Sequence, residues 1–346
     1  MVDVVTASPG TDWQPDRFLD HYQLRTIPLG PDPDGEDPIT ATLVRKPSNE
    51  PPEERPRGAV LYIHGFTDYF FHEPLADHFH HRGYAFYAID LRKCGRSLGE
   101  QHTPHFTTDL DAYDEELDKA LDIITAEVGA DTPILVAAHS TGGLIASLWL
   151  DRLRGSDPAR HARVDGLLLN SPWFDLQGDA LLRTLPITIL IKAVAAVAPK
   201  RVIPRELSGV YGESIHESVN GEWAYDLKVK PLGGFPVTFG WLDAVRTGQR
   251  RLHRGIDVGV PSLVLRSDKT YFSRRYSESV DVADVVVDVG HIARWSGCLG
   301  DRVSVVPIPG ARHDVFLSRA QVRECAYREV DGWLGHVVEP TRGVNA

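Results

Sequence analysis

Short runs of apolar residues recur along this 346-residue chain, separated by segments with helical spacing, and this alternation constrains the fold more than any other feature. The runs are 59–63, 84–89, 133–138, 164–169, 261–265 and 303–308. Strands that read as near-continuous Val, Ile, Leu and Ala stretches, rather than alternating apolar and polar, suit a parallel sheet covered on both faces. Helical patterns at 74–82, 110–128, 141–153 and 319–334 fall between them. Strand–helix alternation implies right-handed crossovers and an α/β doubly wound, mostly parallel sheet.

Two regions depart from that rhythm. Residues up to about 57 form an N-terminal extension with two expected strands, 21–28 and 39–45, around the turn-rich stretch Gly30-Pro31-Asp32-Pro33-Asp34-Gly35. From 175 to 257 no buried strand is evident, apart from a possible short one at 237–239, and 180–198 reads as an apolar helix. A gap of that length is too long for a loop in a compact domain. The expected organisation is therefore a core domain in two parts, 1–174 and 258–346, with a mainly helical cap at 175–257.

Composition narrows the partners. The net charge of −11, with both signs mixed along the chain, argues against nucleic acid or an anionic membrane as the main partner. Cys94, Cys298 and Cys325 are few, odd in number and widely spaced, so no disulfide framework is expected and a reducing cytoplasm fits best. The N-terminus lacks the basic start and apolar run of a signal peptide. The most apolar stretch, 181–199, is interrupted by Arg183, Pro186 and Lys192 and is too short for a membrane span. The histidines His72, His78, His80 and His81 cluster, but without a ligand spacing or an accompanying Cys or carboxylate pair, so no metal is expected. Neither a phosphate-binding Gly loop nor a dinucleotide fingerprint is present, and no cofactor is expected.

The strand 134–138 runs into Ala138-His139-Ser140-Thr141-Gly142, then directly into a helix. This pattern differs from G-x-S-x-G only by Ala at the first position. A sharp strand-to-helix turn pushes a serine hydroxyl out above the sheet, and small flanking residues keep the turn free of clashes. The helix N-terminus brings its unsatisfied amides and positive dipole end to the same place. The competing reading is a serine that merely caps the helix. A base is expected late in the chain, and His313 follows the last strand in Gly310-Ala311-Arg312-His313-Asp314. An imidazole there would take the serine proton and return it to a leaving group. His139, beside the serine, reads as a packing or orienting residue.

Taken together, His64-Gly65 closing the first core strand, Asp90-Leu91-Arg92-Lys93-Cys94-Gly95-Arg96-Ser97 after the second, and the serine turn after the third resemble the α/β-hydrolase superfamily. Its monoglyceride lipase, lysophospholipase and serine aminopeptidase branch is the nearest in pattern, over about 58–175 and 258–335. The resemblance implies that the backbone N–H groups of Phe66 and Thr141 form an oxyanion hole. It also implies an acid after the strand 261–265, in the sense G-x-x-D followed by an apolar pair. Ala283-Asp284-Val285-Val286 fits that sense if 269–282 is an insertion; Asp268, nearer the strand end, is the alternative. Asp284 is favoured, as the group that fixes the imidazole tautomer and stabilises its cation.

A serine nucleophile with a histidine base means acyl transfer. Ser140 stands where dehalogenases and epoxide hydrolases of the superfamily carry Asp, and Thr141 where proline iminopeptidases usually carry Trp. The expected activity is hydrolysis of small or medium acyl esters, monoacylglycerol and lysophospholipid among them. The alternatives are a thioesterase or acyltransferase using the same residues, or a non-catalytic ligand-binding scaffold. Trp173, Phe174, Trp223 and Trp241 are candidates for the wall of an acyl pocket. The expected partner is a small acyl ester; oligomeric state is not legible.

Overall fold

A computed structural model describes residues 12–47, 55–177, 184–204 and 207–339, and these described residues build a nine-stranded sheet. The strands are β1 (Gln14–Pro15), β2 (Gln23–Gly30), β3 (Ile39–Arg45), β4 (Gly58–Ile63), β5 (Tyr84–Asp90), β6 (Ile134–His139), β7 (Val164–Asn170), β8 (Ser262–Ser267) and β9 (Val303–Ile308). Their order across the sheet is β1-β2-β3-β5-β4-β6-β7-β8-β9. The N-terminal meander β1-β2-β3 joins β5 antiparallel, and from β5 to β9 every pairing is parallel. This is the doubly wound, mostly parallel α/β sheet expected from the alternation of apolar runs and helices.

Helices cover both faces: α1 (Glu73–His81), α2 (Asp114–Val128), α3 (Thr141–Ser156), the single turn α4 (Pro158–His161), α5 (Leu185–Val197), α6 (Val210–Ile215), α7 (Phe239–His253), α8 (Val289–Trp295) and α9 (Ala320–Trp333). The two-residue period of a strand sorts the core into two layers. Ala59, Leu61 and Ile63 of β4 pack with Leu117 and Leu121 of α2, Leu144 and Leu148 of α3 and Val245 of α7. Val60 and Tyr62 point the other way, onto Leu75 and Phe79 of α1 and Val330 and Trp333 of α9.

Some expectations need correction. The stretch 237–239 is not a strand: Val202 and Thr238 form an isolated bridge, and Thr238 caps α7 by accepting from the Trp241 amide at 3.3 Å. The apolar helix begins at Leu185, and residues 180–183 of the expected range lie outside those described. The last apolar run is the edge strand β9, where Ser304, Val305 and Pro307 are exposed; a proline without an amide donor is tolerated there because the outer edge has no partner strand among the described residues.

Candidate active site

Ser140 sits between β6 and α3 with φ +53° and ψ −118°, a left-handed backbone that a side chain rarely adopts. Neighbouring backbone holds it there. The Ser140 amide donates to the Asn170 carbonyl at 3.0 Å, and the Ser140 carbonyl accepts from the Trp173 and Gly143 amides, each at 3.0 Å. The small residues of the turn are required by contact: a Cβ on Gly142 would lie 2.3 Å from the His64 carbonyl oxygen. Ala138, where the usual pattern has Gly, is buried in the core without disturbing the turn.

Ser140 Oγ donates to His313 Nε2 at 3.0 Å, and His313 Nδ1 donates to Asp284 Oδ2 at 2.9 Å. All three side chains are buried. Asp284 reaches this position because the loop after β8 folds back on itself. Asp284 pairs with the 269–271 stretch, its amide donating to the Lys269 carbonyl at 3.0 Å and its carbonyl accepting from the Tyr271 amide at 2.8 Å. Its other carboxylate oxygen, Oδ1, accepts from the Val286 and Val287 amides, both at 2.8 Å. Asp268 lies off this chain of bonds, accepting from the Gly310 amide at 3.1 Å. It therefore tethers the loop before His313, and is not the carboxylate that meets the imidazole.

Thr141 is the first residue of α3, where a helical amide has no intrahelical acceptor. The loop after β4 lies hard against the turn, so that a Cβ on Gly65 would stand 3.0 Å from Ser140 Cβ. Phe66 follows directly, its ring 4.1 Å from that of Trp241 and 4.9 Å from His105. A water-sized cavity of about 10 Å³, lined by Phe66, His105, Thr141 and Trp241 among others, lies beside these two residues. A separate open cleft of about 730 Å³, formed by Phe18, Tyr69, Phe71 and Tyr225 with Arg17 and Lys228, includes none of Ser140, His313 or Asp284.

The supporting residues were only partly visible in the sequence. His64 bonds at both nitrogens, accepting from the Leu91 amide at 3.1 Å and donating to the Gly65 carbonyl at 2.7 Å; burial lowers its pKa, so it stays neutral. Asp90 accepts from the Phe70 amide at 3.0 Å and from the Arg96 amide and guanidinium at 2.9 Å each. The motif after β5 is thus a scaffold beneath the 65–72 loop. Asn170, which no pattern singled out, spans β7 and the His313 loop: its amide nitrogen donates to Asp314 at 2.6 Å and its oxygen accepts from the Val315 amide at 3.1 Å. His139 donates to Asp68 at 3.3 Å, and its ring lies 4.9 Å from that of His313. Burial opposes the charge on Asp68, but Lys230 and His139 overcome it and hold the carboxyl well below the usual range. Asp314 is likewise held low against burial, chiefly by His139, His72 and Asn170.

Of the four aromatic residues considered for a pocket wall, Trp173 and Trp241 stack at 5.8 Å beside Phe66. Phe174 belongs to the core, and Trp223 packs elsewhere, donating to the Leu317 carbonyl at 3.0 Å. His72 lies 3.0 Å from the Tyr62 hydroxyl and His78 2.9 Å from Asp331. Among the described residues no group of three or more His, Cys, Asp or Glu is placed to hold a metal ion, and no helix is long and apolar enough to cross a membrane.

The chain is similar to known proteins over much of its length. Residues 54–276 match the family described as serine aminopeptidase, S33. That span includes Phe66, Ser140 and Thr141 and ends before Asp284 and His313. Phospholipase YtpA of Bacillus subtilis (strain 168) is 29% identical over 126 residues, which is 36% of this chain and only 44% of that protein. Among solved structures, a soluble variant of monoglyceride lipase from Saccharomyces cerevisiae, in complex with a substrate analog, superposes with a TM-score of 0.61 at 17% identity, covering 96% of each chain. A thermostable carboxyl esterase from Bacillus coagulans, in complex with glycerol, gives 0.59 at 14% identity over 91% of this chain and 99% of its own. Monoacylglycerol lipase from Paleococcus ferrophilus gives 0.57 at 15%, over 90% and 98%.

Proposed function

Since the chain belongs to the serine aminopeptidase S33 family of α/β-hydrolases, we propose that it is a serine carboxylic-ester hydrolase acting on lipophilic esters of small or medium acyl chains, monoacylglycerol and lysophospholipid among them. The observation that carries this reading is the unbroken chain Ser140–His313–Asp284, at 3.0 and 2.9 Å, on a strained turn at the N-terminus of α3. His313 Nε2 takes the Ser140 proton as Oγ attacks the ester carbonyl. The carbonyl oxygen, now anionic, is received by the Phe66 and Thr141 amides. His313 returns the proton to the departing alcohol, leaving an acyl-serine that water cleaves by the same steps. Each amide donor lowers the barrier by about 3–4 kcal/mol. Asp284 keeps Nδ1 protonated, so that Nε2 is free to act as base.

The lipophilic preference rests on α5, which leaves Leu185, Ile189, Leu190 and Val197 exposed on the segment between β7 and β8. Apolar surface that is left uncovered on one helix marks an interaction surface more often than chance. We assign residues 175–257 the role of a cap over the site. The activity is tested with a series of p-nitrophenyl esters from acetate to laurate, alongside labelling by a fluorophosphonate. Hydrolysis, with label on Ser140 and none on Ser140→Ala, is expected. A folded wild-type protein that neither turns over any ester nor takes up label would reduce the chain to a binding scaffold.

A further inference from the structure

Lys230 lies far from Ser140 in sequence, in a stretch, Asp226-Leu227-Lys228-Val229-Lys230, whose alternating charge looks solvated. Yet Lys230 is only 5% exposed. Its ammonium donates to Asp68 Oδ1 at 2.7 Å and toward the Thr67 carbonyl at 3.4 Å. Three aromatic rings, Phe71, Tyr211 and Tyr225, surround it at 5.5–5.8 Å. A lysine is taken out of water at substantial cost, so such a seat needs close compensation by charge and rings.

The segment that carries Lys230 grips the same loop at two further points. The Phe235 amide donates to Thr67 Oγ1 at 2.9 Å, and the Asp226 amide donates to the Tyr69 hydroxyl at 2.8 Å. Thr67 itself has φ +52°, an unfavourable conformation for a β-branched residue that persists only where its surroundings impose it. Thr67 follows Phe66 directly, so the bonds that anchor Thr67 also restrain the stretch of chain that carries the Phe66 amide. On its far side Asp68 accepts from His139 at 3.3 Å, and His139 immediately precedes Ser140. Lys230, Asp68 and His139 therefore form one buried line, from the segment between β7 and β8, through the loop after β4, to the nucleophile turn.

We propose that Lys230 is a positioning residue that clamps the 66–68 loop in the geometry needed to receive the oxyanion, making that geometry conditional on the seating of the 226–235 segment. The inference rests on the esterase reading above. Lys230 touches no reacting atom; it acts through Thr67 and Asp68. Bonds from Lys230 to the Thr67 carbonyl and the Asp68 carboxylate, and from the Phe235 amide to the Thr67 hydroxyl, hold a loop that would relax without them, and misdirecting a single oxyanion donor is felt in the transition state more than in substrate binding.

The test uses the full chain with Lys230→Met and the double variant Asp68→Asn/Lys230→Met, which removes both charges so that none is stranded. In both, kcat for a short p-nitrophenyl ester should fall about 10- to 100-fold, with KM within about threefold of wild type. Affinity for an aryl trifluoromethyl ketone, whose adduct with serine carries an oxyanion, should fall in parallel with kcat. Amide hydrogen exchange in the peptide holding Phe66 and Thr67 should speed up in both variants. Wild-type kcat in Lys230→Met overturns the proposal. So does recovery of kcat in the double variant, which would show that a stranded Asp68 charge, and not a displaced loop, caused the loss. If the wild type hydrolyses no ester, the esterase reading fails by itself, and loop exchange alone decides the clamp: unchanged exchange refutes it.

Discussion

Replacing Asp284 by Asn tests the site most sharply, because the structure dictates which way the new amide must turn. Asp284 Oδ1 accepts two backbone amides at 2.8 Å, from Val286 and Val287, while Oδ2 faces His313 Nδ1 at 2.9 Å. In Asp284→Asn the amide oxygen must stay on the two backbone donors, since turning the NH2 group toward them would bury donors against donors. The NH2 group then faces Nδ1, which has to become an acceptor, and the imidazole proton moves to Nε2. That nitrogen lies 3.0 Å from Ser140 Oγ and no longer accepts the serine proton. A wrong tautomer with otherwise intact geometry costs about 10⁴-fold in kcat, or about 5.5 kcal/mol of barrier at 1.36 kcal/mol per decade. Asp268→Asn keeps an acceptor for the Gly310 amide and should change kcat/KM less than about threefold, as exposed polar changes do. The assay is steady-state hydrolysis of p-nitrophenyl butyrate, with circular dichroism to confirm the fold. An Asp284→Asn enzyme within tenfold of wild type, or a larger loss in Asp268→Asn, would refute the assignment of the acid.

Ser140→Ala should abolish ester hydrolysis, and Ser140→Gly should do the same while raising stability by about 1 kcal/mol, because Gly relieves the positive φ; a thermal scan showing Gly no more stable than Ala would remove the strain argument. Enlarging half-buried positions of α5, as in Ile187→Phe and Val194→Phe, should shift the preferred acyl length while changing turnover of the acetate ester little; an unchanged chain-length profile would detach α5 from substrate choice. Burial lowers the pKa of His64, His72 and His105, so the folded state keeps them neutral while the unfolded chain protonates them as pH falls through the ordinary histidine range. Stability should therefore drop below about pH 6.5, each histidine contributing up to about 1.4 kcal/mol per pH unit until its own folded-state value is reached. Urea midpoints that stay flat from pH 7 to 5 would contradict this.

The parts of the architecture that repeat a local rule were legible from the residues. Runs such as Val60-Leu61-Tyr62-Ile63 are buried on both faces, and their lack of alternation marks a central parallel strand. The turn around Ser140 was legible because a strand, small residues and a helix must follow in that order for the backbone to bend so sharply. The edge position of β9 was not, since an apolar run looks the same in the middle of a sheet and at its margin, and only Pro307 hinted at the difference. Asn170 and Lys230 were invisible for another reason. Their partners, Asp314 and Asp68, are 144 and 162 residues away, and no local spacing encodes a bond across that distance. Trp223 shows the opposite failure: an aromatic residue in an apolar segment suggested a pocket wall, whereas its indole packs against the 315–317 turn region through the Leu317 carbonyl.

The sheet explains why residues so far apart in the chain meet. Ser140 leaves the carboxyl end of β6, Asp284 is returned to the carboxyl end of β8 by its folded-back loop, and His313 follows the carboxyl end of β9. In a parallel sheet these ends share one rim, which is where open α/β sheets bind ligands. β7 lies between β6 and β8 and contributes none of these three residues, yet its last residue, Asn170, joins the two sides. Its carbonyl accepts the Ser140 amide and its side chain holds Asp314 and Val315 beyond His313. A change at Asn170 should therefore move the serine turn and the histidine loop relative to each other. Asn170→Ala strands the low-pKa Asp314 without one of its donors and frees the Val315 amide, both in buried surroundings. Unsatisfied groups of that kind cost about 1–3 kcal/mol each. Because the Ser140–Asn170 bond is made by backbone, the serine turn should persist while the histidine loop loosens. The expected signature is a fall in kcat together with slower fluorophosphonate labelling of Ser140, and a normal rate of labelling in Asn170→Ala would place the rigidity of the His313 loop elsewhere.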